Sequence, residues 1–106
     1  MPLTRIFKQT VMERIKNEPG FRRALLRETI DEFLTGDVEV AKTLLRDYIN
    51  ATMSFDTLGK KLNKNSKSLQ RMLGPSGNPT SRSLFTMIKA IQAAEKIRLD
   101  VRVHKQ

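Results

Sequence analysis

Ser54-Phe55-Asp56-Thr57-Leu58-Gly59-Lys60-Lys61-Leu62 is followed by the polar run Asn63-Lys64-Asn65 and then by Ser66-Lys67-Ser68-Leu69-Gln70-Arg71-Met72-Leu73. Short apolar repeats on either side of a turn-forming triplet predict two short helices packed across a tight turn. Leu58 and Leu62 share a face of the first helix, and Leu69, Met72 and Leu73 share a face of the second. Ser54 is placed to cap the first helix, with Asp56 near its positive end. Gly59 supplies the small residue where the two helices cross most closely, and Asn63 tolerates the left-handed conformation that such a reversal requires. With the apolar residues turned inward, Ser66, Lys67, Gln70 and Arg71 leave the second helix on one side. These are groove-reading side chains: Arg and Lys pair with guanine O6 and N7, and Gln pairs bidentately with adenine. The plainer alternative is a solvated basic helix in a bundle.

Downstream, Gly74-Pro75-Ser76-Gly77 reads as a loop and Asn78-Pro79 as a restart, a capping side chain followed by the residue best tolerated in a first helical turn. A helix through Leu84, Ile88 and Ile91 follows. Ile97, Leu99, Val101 and Val103 then alternate with Arg98, Asp100 and Arg102, the repeat of a half-buried strand over residues 97–103. A lone strand exposes an unpaired edge, so these four apolar residues are expected to mediate dimerisation by pairing with the same strand of a second subunit. The competing reading continues the preceding helix through residues 93–103.

Upstream, helices are expected at about residues 4–18, 20–35 and 37–52. Thr4 is a cap, with Phe7, Val11 and Ile15 as the buried stripe, and Pro19-Gly20 ends the pattern. Leu25, Leu26, Ile30, Phe33 and Leu34 form the second stripe, closed by Thr35-Gly36. Asp37 caps the third helix, whose face is Val38, Ala41, Leu45, Tyr48 and Thr52, widened by Leu44 and Ile49. The chain divides into a helical extension over residues 1–36, a helix-turn-helix domain over 37–96 and a terminal strand and tail over 97–106.

The 106 residues carry 20 Lys and Arg against 11 Asp and Glu, a net charge of +9. Residues 1–52 hold nine basic and eight acidic residues, residues 53–82 six and one, and residues 83–106 five and two. The excess therefore sits in the helix-turn-helix segment, as a polyanion-binding surface requires. There is no cysteine, so disulfides, thiolate metal sites and cysteine nucleophiles are excluded. His104 is the only histidine, and no nucleophile elbow occurs, so the chain is expected to be no enzyme and to need no metal or cofactor. No apolar run approaches a membrane span and the start lacks a secretory pattern, which predicts a cytoplasmic protein without membrane contact.

Residues 54–73 resemble the helix-turn-helix of phage-repressor-like (XRE) transcription regulators, and Gly77-Asn78-Pro79-Thr80 with Leu84 and Ile88 resembles the loop and closing helix of the antitoxins, or addiction-module antidotes, of that class. The resemblance covers about residues 37–103. It implies an all-α, phage-repressor-like bundle with two extra N-terminal helices and a short C-terminal β-strand. The implied function is a dimeric, sequence-specific regulator of a double-stranded DNA operator, in its antitoxin form an autorepressor that also binds a toxin. Carried over by position, Asn65, Ser66, Lys67, Gln70 and Arg71 contact bases. Lys60, Lys61 and Lys64, with Thr80, Ser81 and Arg82 at a helix start, bind phosphate. Phe55 stands where many relatives place a phosphate-contacting glutamine, and Asn63 where they place a turn glycine. The rival readings are a helical protein-interaction module and an RNA-binding protein with a basic face.

Overall fold

Six α-helices make up the regular structure of residues 2–106, which the computed structural model describes with side chains from Phe7 onward: α1 Pro2–Asn17, α2 Pro19–Thr35, α3 Val38–Ala51, α4 Ser54–Leu62, α5 Ser66–Met72 and α6 Ser81–Glu95. Most boundaries follow from single residues. Pro19 opens α2, where its missing N–H costs nothing, and Gly36 at φ 90° closes it. The Asp37 carboxylate accepts from the Val40 N–H at 3.3 Å and starts α3. Ser54 Oγ accepts from the Thr57 N–H at 3.2 Å at the start of α4. Two expected caps move. The chain is already helical from Pro2, so Thr4 lies within α1. At α6 the cap is Thr80, not Asn78, because Thr80 is the extended residue whose hydroxyl reaches the N–H three positions on, that of Ser83 at 3.1 Å.

One apolar core joins all six helices, running from Ile15 and Leu26 through Leu45 and Ile49 to Phe55, Leu58, Leu69, Leu73, Met87 and Ile91. The N-terminal pair α1 and α2 therefore packs into the same interior as the helix-turn-helix. Phe7 departs from its expected place and is 70% exposed. It lies eight residues before buried Ile15, about 80° round a helix of 3.6 residues per turn, whereas seven residues is only about 20° off two full turns. That closer position is Lys8, which pairs with Asp47 of α3 at 3.8 Å. Leu34 and Val38, read as members of buried stripes, are also exposed. Thr29 is buried instead, its hydroxyl donating to the Leu25 carbonyl at 2.9 Å.

A half-buried polar cluster fastens the ends of the bundle together. Arg22 Nε donates to both carboxylate oxygens of Glu95, at 3.0 and 2.9 Å, and its Nη1 donates to the carbonyls of Ile15 and Lys16 at 3.0 and 3.1 Å. The Tyr48 hydroxyl donates to the same carboxylate at 3.3 Å. Burial of the phenol, aided by the Glu95 charge, pushes the Tyr48 pKa up to about 12.

The terminal strand is not present: residues 97–103 are irregular, and no strand occurs among the described residues. The alternation that predicted it has another cause. Lys96 takes a left-handed turn at φ 59°, the Ile97 N–H returns to the Gln92 carbonyl at 3.0 Å, and Gln92 Oε1 accepts from the Leu99 N–H at 2.7 Å. Ile97 and Leu99 are thereby laid against the core, while Val101 and Val103 are 68% and 96% exposed. The apolar residues of the tail that bury at all bury within their own chain. With no strand the edge-pairing route to a dimer loses its element, and the helical alternative fails as well, since α6 ends at Glu95.

Two outcomes follow from these contacts. Leu99→Ala should cost about 1–2 kcal/mol in urea unfolding, less than a fully buried leucine; Val103→Ala should change nothing measurable. Tyr48 stays protonated in the folded chain where an unfolded tyrosine, near pH 10, ionises. The unfolded state then binds fewer protons, so stability that is complete below pH 10 falls as the pH approaches about 12. The loss is up to about 2 kcal/mol, and Tyr48→Phe should remove that part of the slope in denaturation curves taken across this range.

Candidate nucleic-acid interface

The pair α4 and α5 is held by one close backbone approach. A Cβ on Gly59 would sit 2.7 Å from the Lys64 carbonyl oxygen and 3.4 Å from the Ser66 nitrogen, so the turn lies directly on α4. The Lys64 N–H donates to the Gly59 carbonyl at 2.8 Å. The reversal itself is made at Asn63, at φ 54° and ψ 48°, a left-handed position that Asn occupies more readily than most residues. Asn65 then caps α5, its Oδ1 accepting from the Ser68 N–H at 3.1 Å. These three residues set where α5 starts and in which direction it leaves.

The inner face of α5 and its cap is Leu69 and Leu73, both buried, with Met72 half-buried at the edge of the core. Its outer face carries Lys67, Gln70 and Arg71, all exposed. Ser66 is half-buried under the turn. Asn65 is exposed, but its side-chain oxygen is engaged in the cap, which leaves the amide NH₂ for any base edge. An open cleft of about 590 Å³ gathers Lys60, Lys64, Asn65 and Ser66 with Asp56, Gly59 and Asn63. Lys61 is exposed in the last turn of α4 and does not line this cleft. Thr80, Ser81 and Arg82 are exposed at the start of α6. Thr80 Oγ1 bonds both the N–H and the hydroxyl of Ser83.

The cations of this region are not ion-paired. Lys60, Lys61, Lys64, Lys67, Arg71 and Arg82 are all exposed, and none of them enters an ion pair among the described residues. By contrast Arg14 pairs with Glu18 at 3.1 Å, and Arg22 and Arg23 both meet Glu95. Acidic charge gathers elsewhere: desolvation and the nearby Glu28, Asp37 and Asp31 hold the Glu32 carboxyl above its ordinary range. An array of free cations beside a helix that presents hydrogen-bonding side chains can neutralise phosphates and read base edges at once.

Two features of the site escape a reading by spacing. Asp56 lines the cleft between Lys60 and Lys64, although its position suggested only a helix-dipole role. Phe55 is 2% exposed and belongs to the core, which explains in packing terms why no glutamine stands there.

Gly59→Ala should force the turn away from α4 and destabilise the chain by about 1–3 kcal/mol, the usual range for overpacking. Thermal melting checks this, and Gly20→Ala, where a Cβ meets nothing within 4 Å, is the control.

No helix among the described residues is long and apolar enough to cross a membrane, and no cluster of His, Asp and Glu among them could hold a metal ion. Set against known proteins, the chain matches no family model, no curated protein and no solved structure.

Proposed function

We propose that the chain is a sequence-specific duplex-DNA-binding protein, a regulator and not an enzyme, with α5 lying in the major groove. The observation that carries this reading is the outer face of α5, where Lys67, Gln70 and Arg71 stand exposed and uncommitted while Leu69 and Leu73 sink into the core. The unpaired Lys60, Lys61 and Lys64 supply sequence-independent attraction to phosphates on the flank of that helix. Arg82, with the exposed start of α6, adds a second phosphate contact. Thr80 is three residues from Gly77, whose backbone abuts the end of α5, so the start of α6 lies within about 11 Å of chain from the reading helix. The narrower assignment, an autorepressing antitoxin that acts as a homodimer and binds a toxin, rests on the resemblance over about residues 37–103 alone.

The decisive experiment is to sequence the DNA fragments that the purified protein selects from a random pool, then to titrate the selected duplex by fluorescence anisotropy. Lys67→Ala and Arg71→Ala should each weaken that binding by about 1–3 kcal/mol and relax preference at particular base pairs. Lys60→Ala should weaken binding to all duplexes alike and reduce the salt slope by about one. A pool that emerges unenriched, with wholly salt-dependent binding to any duplex, would instead mark a basic protein-interaction or RNA-binding module.

A further inference from the structure

Lys42 lies in the middle of α3, and its side chain is only 2% exposed. The ammonium donates to the Gly77 carbonyl at 2.7 Å and to the Gly74 carbonyl at 3.0 Å, and it is ion-paired with the Glu39 carboxylate at 2.9 Å. Two of the three belong to the loop between α5 and α6. A cation is costly to bury, and two carbonyl acceptors with a carboxylate beside them are what make the burial tolerable. Only a compact ammonium can send donors in three directions from one point; a planar guanidinium cannot replace it.

The same loop is folded down onto the end of α5. A Cβ on Gly77 would collide with the carbonyl oxygens of Arg71 and Met72, so the two backbones touch with no room for a side chain. The Gly74 N–H donates to the Arg71 carbonyl at 3.1 Å, and the Gly77 N–H donates to the Gly74 carbonyl at 3.0 Å. A continuous series of contacts thus runs from the Lys42 ammonium through the loop carbonyls to the backbone of Arg71. A helix of seven residues has too few internal hydrogen bonds to fix its own direction. Its start is held by the turn on Gly59, and its end by this loop.

We infer that Lys42, which touches no DNA in this arrangement, is a positioning residue for base reading: it clamps residues 74–77 against the end of α5 and so sets the angle at which Arg71 and Gln70 meet the groove. This rests on the DNA reading proposed above. Removal of the clamp should spare the phosphate contacts made from α4, which do not depend on the loop, and degrade discrimination between sequences.

The test compares wild type, Lys42→Met and Gly77→Ala, each checked for native helicity and cooperative melting. In Lys42→Met the amides of Leu73, Gly74 and Gly77 should exchange about tenfold faster, with those of Ile49 and Ile91 unchanged. Affinity for a scrambled duplex and its salt slope should stay at wild type, whereas affinity for the selected duplex should fall about tenfold. Combined with Arg71→Ala, the loss should be less than additive; combined with Lys67→Ala, at the other end of α5, it should add. A folded Lys42→Met variant that discriminates as well as wild type overturns the proposal. Should Lys42→Met not fold, Gly77→Ala decides, since it displaces the loop from the opposite side with Lys42 intact: lost discrimination supports the clamp, and retained discrimination overturns it. Wild type without any sequence preference would sink the DNA reading itself, an outcome distinct from wild-type selectivity that survives in the variants.

Discussion

The carboxylate of Glu95, at the last turn of α6, is the point on which the bundle closes. It receives Arg22 from α2 and Tyr48 from α3, and Arg22 in turn bonds the last carbonyls of α1 at Ile15 and Lys16. The three N-terminal helices and the distant α6 are thus tied through one ion pair whose side chains are 17% and 11% exposed. Such a pair contributes little net stability, because desolvation opposes its attraction, but Arg22 left without Glu95 would be a largely enclosed charge. Its effect is therefore on register. Aliphatic faces such as those of Leu26 and Leu45 tolerate sliding, whereas a guanidinium held between one carboxylate and two carbonyls, with a phenol converging on the same carboxylate, does not. The end of α6 is seated on α2 and α3 in one register for this reason.

That arrangement also divides the charge of the molecule by task. Cations of the N-terminal pair and of α3 are largely matched with carboxylates, as Arg22, Arg14 and Lys42 are. Those of α4, the following turn and α5 are left unmatched, and Lys60, Lys61 and Lys64 repel one another within five residues of chain. This repulsion works against folding and is offset by the apolar interior beneath it, where Phe55, Leu58 and Leu69 are almost fully enclosed. Under the proposed function it is relieved when phosphates approach.

The helices and the turn between α4 and α5 were legible because their signals are local. Asp37 reaches an N–H three residues on, and Asn63 has a conformation of its own. The tail was misread for a complementary reason: alternation of Ile97, Leu99, Val101 and Val103 reports which residues prefer burial, not what buries them, and the partner proved to be α6 through Gln92. Phe7 failed because a step of eight drifts off a helical face that a step of seven keeps. The positions of Lys42, Thr29 and Glu95 were invisible to spacing. A lysine in an amphipathic helix reads as solvated unless the carbonyls that receive it, here 32 and 35 residues away, are known. At the site, the outward set on α5 was legible from the inward set, whereas the engagement of Asn65 in a cap and the place of Asp56 in the cleft depend on how the turn folds back over α4.

The brevity of α5 bounds what one molecule can know about a DNA sequence. Seven residues rise about 10 Å along the helix axis, which spans about three base-pair steps at 3.4 Å each. Three fully specified pairs distinguish about 64 sequences, or roughly 6 bits, while a genome sets a reader against on the order of 10⁶ sites or more, about 20 bits. A single α5, however well clamped, falls short by about 14 bits on that scale. Under the proposed function the missing information has to come from deformation of the duplex, from a second reading helix on the same site, or from a partner that restricts where the protein searches.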